Sequence, residues 1–121
     1  MTTRDLSSIS ATVHEYFEGM YHGDTTRLRH AFHPQAYLFG YFHGALCHDS
    51  LENWMEEVDG TPVPAKHGEP FDMRIVSVDV TPPVAVAKVD VLYLGLRFTD
   101  YLSLLQIDDR WQIVNKIYRH A

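Results

Sequence analysis

The hydrophobic period of this chain changes once, and that change limits the folds open to it. After the loop Gly60-Thr61-Pro62-Val63-Pro64-Ala65-Lys66-His67-Gly68-Glu69-Pro70 the apolar residues alternate, in four stretches at 71–80, 84–94, 96–107 and 111–118. They are rich in Val, Ile, Tyr and Leu and are broken only by Thr81-Pro82-Pro83, Gly95 and Asp108-Asp109. Period two with β-formers and turn residues between the runs predicts strands, and such short connections join antiparallel neighbours. A two-faced sheet of this kind needs a cover.

The cover is supplied upstream. Ile9, Val13, Tyr16, Phe17 and Met20 recur at helical spacing, which predicts an amphipathic helix over 6–21 that ends before Gly23. Asp24 reads as the N-cap of a short second helix through Phe32, and Pro34 stops it. A strand is expected from Ala36. Asp49 with Glu52 three positions on resembles a capping box opening a third helix, whose stripe is Leu51, Trp54, Met55 and Val58. Three helices followed by a meander predict a single α+β domain over 1–121, with the helices on a curved, mainly antiparallel sheet that forms a cone around an internal pocket.

Composition excludes several functions. A formal charge of -6, with the ten Lys and Arg scattered, gives no basic stripe for phosphates, so nucleic acid is not an expected partner. There is neither an apolar run of membrane-spanning length nor a leader-like segment in 1–10, so the expected setting is cytoplasmic, without a membrane. Cys47 is the only cysteine; it excludes an internal disulfide and reads as a small buried apolar residue. The eight histidines include the pairs His30/His33 and His43/His48, yet no His-Glu-x-x-His pattern is present and no metal is expected. No Gly-rich phosphate loop calls for a nucleotide, and no cofactor is expected. Ser103, His43 and Asp100 would make a triad on paper, but no nucleophile elbow precedes any serine.

Asp100 is the strongest candidate for chemistry. It shares a strand face with Phe98, Leu102 and Leu104, and a carboxylate on an apolar face must find a partner or keep its proton. The plain alternative is an ion pair with Arg97, Lys88 or Lys116. Tyr16 lies on the buried stripe of the first helix, where its hydroxyl needs a partner. Phe39, Tyr41, Trp54, Tyr93 and Phe98, with Met20, would furnish an apolar cavity wall, or simply core.

The order of elements carries a resemblance. Gly23-Asp24 after the first helix, Phe32-His33-Pro34-Gln35-Ala36 entering the first strand and Asp109-Arg110-Trp111-Gln112-Ile113 turning into the last are similar to the nuclear transport factor 2-like superfamily. The strand Asp100-Tyr101-Leu102-Ser103-Leu104 and the ending Trp111-Gln112-Ile113-Val114-Asn115-Lys116 most resemble the branch called putative lumazine-binding, close to SnoaL-like cyclases. The resemblance implies acid-base chemistry on hydrophobic small molecules in a cavity between helices and sheet, although many members of the superfamily perform none. Matched to ketosteroid isomerase, Tyr16 falls on the oxyanion-hole tyrosine and Asp100 on the aspartic acid kept neutral by its apolar site. The general-base position falls on Gly40, which takes no proton. His43 is the expected replacement base, as dehydratases of the superfamily use histidine, and His33 at the strand entrance is a second candidate.

These observations predict a small-molecule-pocket protein, with two functions open. One is a cofactor-free isomerase, dehydratase or cyclase using Asp100, Tyr16 and His43; the other is a ligand-binding module without chemistry. A homodimer is expected through the outer sheet face, with Val89, Val91, Thr99 and Tyr101 as the outward residues.

Overall fold

The structure, a computed structural model, describes residues 2–121. Helix α1 spans Thr3–His22 and opens earlier than its apolar stripe because Thr2 and Asp5 cap one another, Asp5 N donating to Thr2 Oγ1 at 3.2 Å and Thr2 N to the Asp5 carboxylate at 3.1 Å. It stops at Gly23, whose φ of 60° is the left-handed conformation that glycine adopts without strain. Asp24 caps α2, Thr25–Ala31, by accepting from Arg27 N at 3.2 Å.

Strand β1, Phe32–Phe42, follows at once and begins before the expected Ala36. Its register against the last strand slips between Phe32 and Tyr37, across Pro34, which has no N–H for a ladder. A hairpin over His43-Gly44, both with positive φ, then leads to β2, Ala45–Ser50, a strand the sequence reading did not anticipate. Helix α3, Leu51–Asp59, is capped by Ser50, whose Oγ accepts from Asn53 N at 3.2 Å. The expected cap, Asp49, is instead the penultimate residue of β2. After a 3-10 turn at Pro64–His67 come β3 (Met73–Thr81), β4 (Val84–Tyr93), β5 (Leu96–Ile107) and β6 (Arg110–His120), as the alternation predicted.

The six strands form one curved sheet in the order β2-β1-β6-β5-β4-β3, and all neighbours are antiparallel except β1 and β6. The three helices cover its inner face. Phe98, Asp100, Leu102 and Leu104 point inward as expected, all at most 9% exposed. Across β4 their register partners are Val91, Val89 and Ala87, which are buried too. Val89 and Val91 are therefore inner residues, contrary to expectation, because directly paired residues of adjacent strands share a face. Tyr101 and Ile117 lie on the outer face, both exposed.

One irregularity controls the interior. Leu104 pairs with Ile113 and Ser103 with Asn115, so Val114 is an extra residue in β6. Such a bulge reverses the alternation beyond it. Trp111 and Ile113 face inward before it, and Lys116, 5% exposed, faces inward after it. No helix among the described residues is long and apolar enough to cross a membrane.

Candidate functional site

A cavity of about 560 Å³ opens between α1, α3 and the inner face of the sheet. Tyr16 and Met20 reach it from α1, Trp54, Glu57 and Val58 from α3, Phe42 from β1, Cys47 and Asp49 from β2. Val91, Tyr93, Phe98, Asp100, Lys116 and Tyr118 complete the wall from β4, β5 and β6. The lining is mostly apolar, with a few polar groups on opposite strands, as in ligand sites generally.

At its buried side three of these groups form a hydrogen-bonded chain. Lys116 Nζ donates to Tyr16 Oη at 3.0 Å, and Tyr16 Oη donates to Asp100 Oδ2 at 2.5 Å. Tyr16 is 0% and Asp100 1% exposed. Burial raises the Asp100 carboxyl above the usual carboxylate range, outweighing the opposing pull of Lys116 and of the Tyr16 bond. Burial likewise lowers the Lys116 amine and, with Asp100 beside it, raises the Tyr16 phenol well above its ordinary value. All three shifts favour neutral forms. Asp100 Oδ1 is buried and has no partner among the described residues, a condition that costs about 1–3 kcal/mol while nothing fills it.

This arrangement answers the alternatives left open for Asp100. Arg97 pairs with Asp72 at 2.6 Å, and Lys88 lies over the Tyr101 ring at 5.6 Å. Lys116 is the cation that faces Asp100, through a phenol rather than directly. Its ammonium nitrogen also stands 4.3 Å from the Trp54 ring centre, 5.0 Å from that of Tyr16 and 5.2 Å from that of Tyr118.

The structure gathers Asp100, Tyr16, Met20, Trp54, Tyr93 and Phe98 around the cavity. It does not gather the others. His43 sits exposed at the β1–β2 turn, where its backbone N–H donates to His120 Nε2 at 2.8 Å, and it is not part of the cavity wall. His33 braces the start of β1, its Nδ1 accepting from Gln35 N at 3.0 Å. Phe39 and Tyr41 point outward, 41% and 56% exposed, because Ala36, Leu38 and Gly40 take the inner face of β1. A Cβ at Gly40 would meet the Tyr118 ring and its backbone oxygen at 2.5 Å. Tyr118 thus takes the space that a side chain at position 40 would need.

Several wall residues went unrecognised in the sequence. Asp49 looks like a helix cap in the sequence, but its register partner is Leu38, which puts it on the inner side. Glu57 also lines the cavity, its carboxyl raised by partial burial and by the charge of Asp49. Cys47, expected to be buried, is half-buried in the same wall. The Tyr93 phenol is pushed up to about 12, mainly by burial. For Lys116 the sequence offers only the role of a counter-ion to Asp100. The signal that could have found Asp49 is the His43-Gly44 turn, since a tight hairpin there sets the register of everything after it.

Six strands in this order around three helices define a nuclear transport factor 2-like protein. The chain belongs to the putative lumazine-binding family, whose pattern matches residues 4–119. It is similar to the aldolase FrzH of a Cladobotryum species, with 29% identity over 120 residues, covering 98% of this chain and 93% of that protein. Among solved structures it resembles an NTF2-like protein of unknown function from Shewanella baltica, with a TM-score of 0.88 and 28% identity, over 100% of this chain and 98% of the other. Another, from Silicibacter pomeroyi, gives a TM-score of 0.83 and 27% identity over the whole of both chains. Family and relative together support a small-molecule-binding or enzymatic member of the superfamily.

Proposed function

We propose that the chain holds a hydrophobic carbonyl compound in this cavity and moves a proton on it without a cofactor, as an isomerase, dehydratase, cyclase or aldol-type enzyme does. The observation that carries this reading is the buried chain Lys116–Tyr16–Asp100, which ends on an oxygen with no partner among the described residues. A neutral Asp100 that accepts from Tyr16 at Oδ2 keeps its proton on Oδ1 and has it to give to a carbonyl oxygen. As that oxygen gains enolate charge, a preorganised donor in a dry site contributes about 3 kcal/mol to transition-state stabilisation. Tyr16 acts through Asp100, because its one proton is already engaged there. Asp49 and Glu57, the other carboxyl groups of the cavity wall, replace His43 as the groups that take a proton. The name of the Cladobotryum relative supports carbonyl chemistry, since an aldol reaction passes through the same enolate.

Carbon-13 NMR of labelled aspartate tests this reading. One carboxyl resonance, absent in Asp100→Asn, is expected to remain that of a neutral acid when the surface carboxylates have ionised. An Asp100 that titrates with them removes the donor and the mechanism with it.

Ligand binding without chemistry is the second reading, favoured by the engaged Tyr16 proton and by Gly40 at the isomerase base position. Aromatic ketones that raise Tm and are recovered unchanged after long incubation would support it. For the outer sheet face we propose a second copy of the chain as partner. Phe39, Tyr41, Leu46, Tyr101 and Ile117 are exposed there around one shallow hollow, the kind of apolar face that association covers. Light scattering is expected to give a dimer, and a monomer at micromolar concentration would overturn the pairing.

A further inference from the structure

Lys116 has no task in the proton transfer just described, yet its burial is costly. The chain has three lysines, and the other two are of ordinary kind. Lys66 is exposed on the 3-10 turn, and Lys88 lies across Tyr101 on the outer face. Lys116 alone lies in the cavity wall, where an ammonium has lost its hydration shell and none of the ion pairs among the described residues involves it. Three aromatic rings and one phenol oxygen stand against it, and the Asp100 and Asp49 carboxyls are near enough to oppose the loss of its proton. These soften the loss of water, and burial nevertheless lowers the amine below its ordinary value. A desolvated lysine that sheds its proton more readily is the form that attacks carbonyl carbon.

We propose that Lys116 is a nucleophile that condenses with the carbonyl group of the guest, so that the site takes hydrophobic aldehydes and ketones as imines. The proposal rests on the cavity reading above and deepens it. The Nζ lone pair bonds to the carbonyl carbon, and the π electrons move to the oxygen, which takes the Asp100 proton. The carboxylate left behind recovers a proton from Tyr16 Oη, and Tyr16 recovers one from the attacking nitrogen, because its hydroxyl lies 2.5 Å from Asp100 Oδ2 and 3.0 Å from Lys116 Nζ. Half a turn of the carboxyl group brings the proton received at Oδ2 round to the guest, and a second passage over the relay then protonates the carbinolamine hydroxyl, which leaves as water while the nitrogen lone pair forms the C=N bond. Amine and carbonyl become imine and water, both hydrogens of that water coming from the nitrogen. The geometry thus gives Tyr16 the role of connecting the donor to the nucleophile.

Reductive trapping tests it on the intact wild-type protein, with benzaldehyde as probe and sodium cyanoborohydride as reductant at neutral pH. Peptide mass mapping then compares Lys116 with Lys66 and Lys88 in the same molecule. Benzylation of Lys116 is expected to outrun that of Lys66 and of Lys88 in spite of its burial, because the desolvated amine sheds its proton more readily. Saturable quenching of tryptophan fluorescence by benzaldehyde without reductant reads binding separately, since Trp54 lines the cavity. Binding with Lys66 and Lys88 modified and Lys116 untouched overturns the nucleophile and leaves the cavity reading in place. Absence of both binding and modification at Lys116 overturns the two together.

Discussion

The two ends of this molecule's interior are built on the same strands and filled in opposite ways. At the β5–β6 turn end, Ile9, Val13, Leu104, Trp111 and Ile113 are each at most 2% exposed, and Thr12 Oγ1 donates to Trp111 O at 2.9 Å to hold α1 against the sheet. At the other end the same strands present Phe98, Asp100, Lys116 and Tyr118 to an open cavity. The contrast is one of side-chain type as much as of space. Aliphatic side chains interdigitate around Trp111 and close the first end, whereas aromatic and long polar side chains leave a gap at the second. A fold can therefore keep its stability at one end and its site at the other, and changes at the two ends should differ in kind.

The largest difference is expected for large-to-small changes. Leu104→Ala should cost about 4 kcal/mol in urea unfolding, because a closed core cannot collapse onto the hole. Phe98→Ala should cost about 2 kcal/mol, the transfer term alone, since its ring already borders empty space. Equal losses would break the distinction between a solid and a hollow end. Gly40→Ala should cost about 2 kcal/mol by overpacking, and should weaken aromatic-ketone binding as Tyr118 is pushed from the wall.

A smaller effect should come from pH. Asp100 binds its proton more tightly folded than unfolded, so across the window from the ordinary carboxylate value up to its raised one the native state holds more protons and stability falls as pH rises. Asp100→Asn removes that slope. The Tm of the variant relative to wild type should therefore climb with pH through this window and level off above it. A difference that stays flat or falls would show that Asp100 is not held neutral. His43→Asn should change stability by no more than about 0.5 kcal/mol and leave ligand binding intact, as expected for an exposed turn residue.

Much of this was legible in the sequence, and what was not has a common cause. The first and third helices, the four-strand meander and the inward line Phe98-Asp100-Leu102-Leu104 follow from period, and the short second helix from its Asp24 cap and Pro34. Period does not say which of two faces is inner. On β1 the aromatic set Tyr37-Phe39-Tyr41 invites burial, but the inner face belongs to Ala36-Leu38-Gly40, because Tyr118 from the neighbouring strand needs the room. Val89 and Val91 could have been assigned from the turn at Leu94-Gly95, which pairs Tyr93 with Leu96 and so Val89 with Asp100. Lys116 was beyond such counting. Continued alternation from Trp111 and Ile113 sends it to solvent, and only the extra residue at Val114 turns it inward.

That single unpaired valine makes the last third of β6 a separately addressable cassette. Positions 116, 118 and 120 owe their orientation to it, while 111 and 113 do not. Evolution, or an engineer, can rewrite what this cavity accepts by exchanging positions 116 and 118 downstream of one backbone kink, and leave untouched the half of the strand on which folding depends.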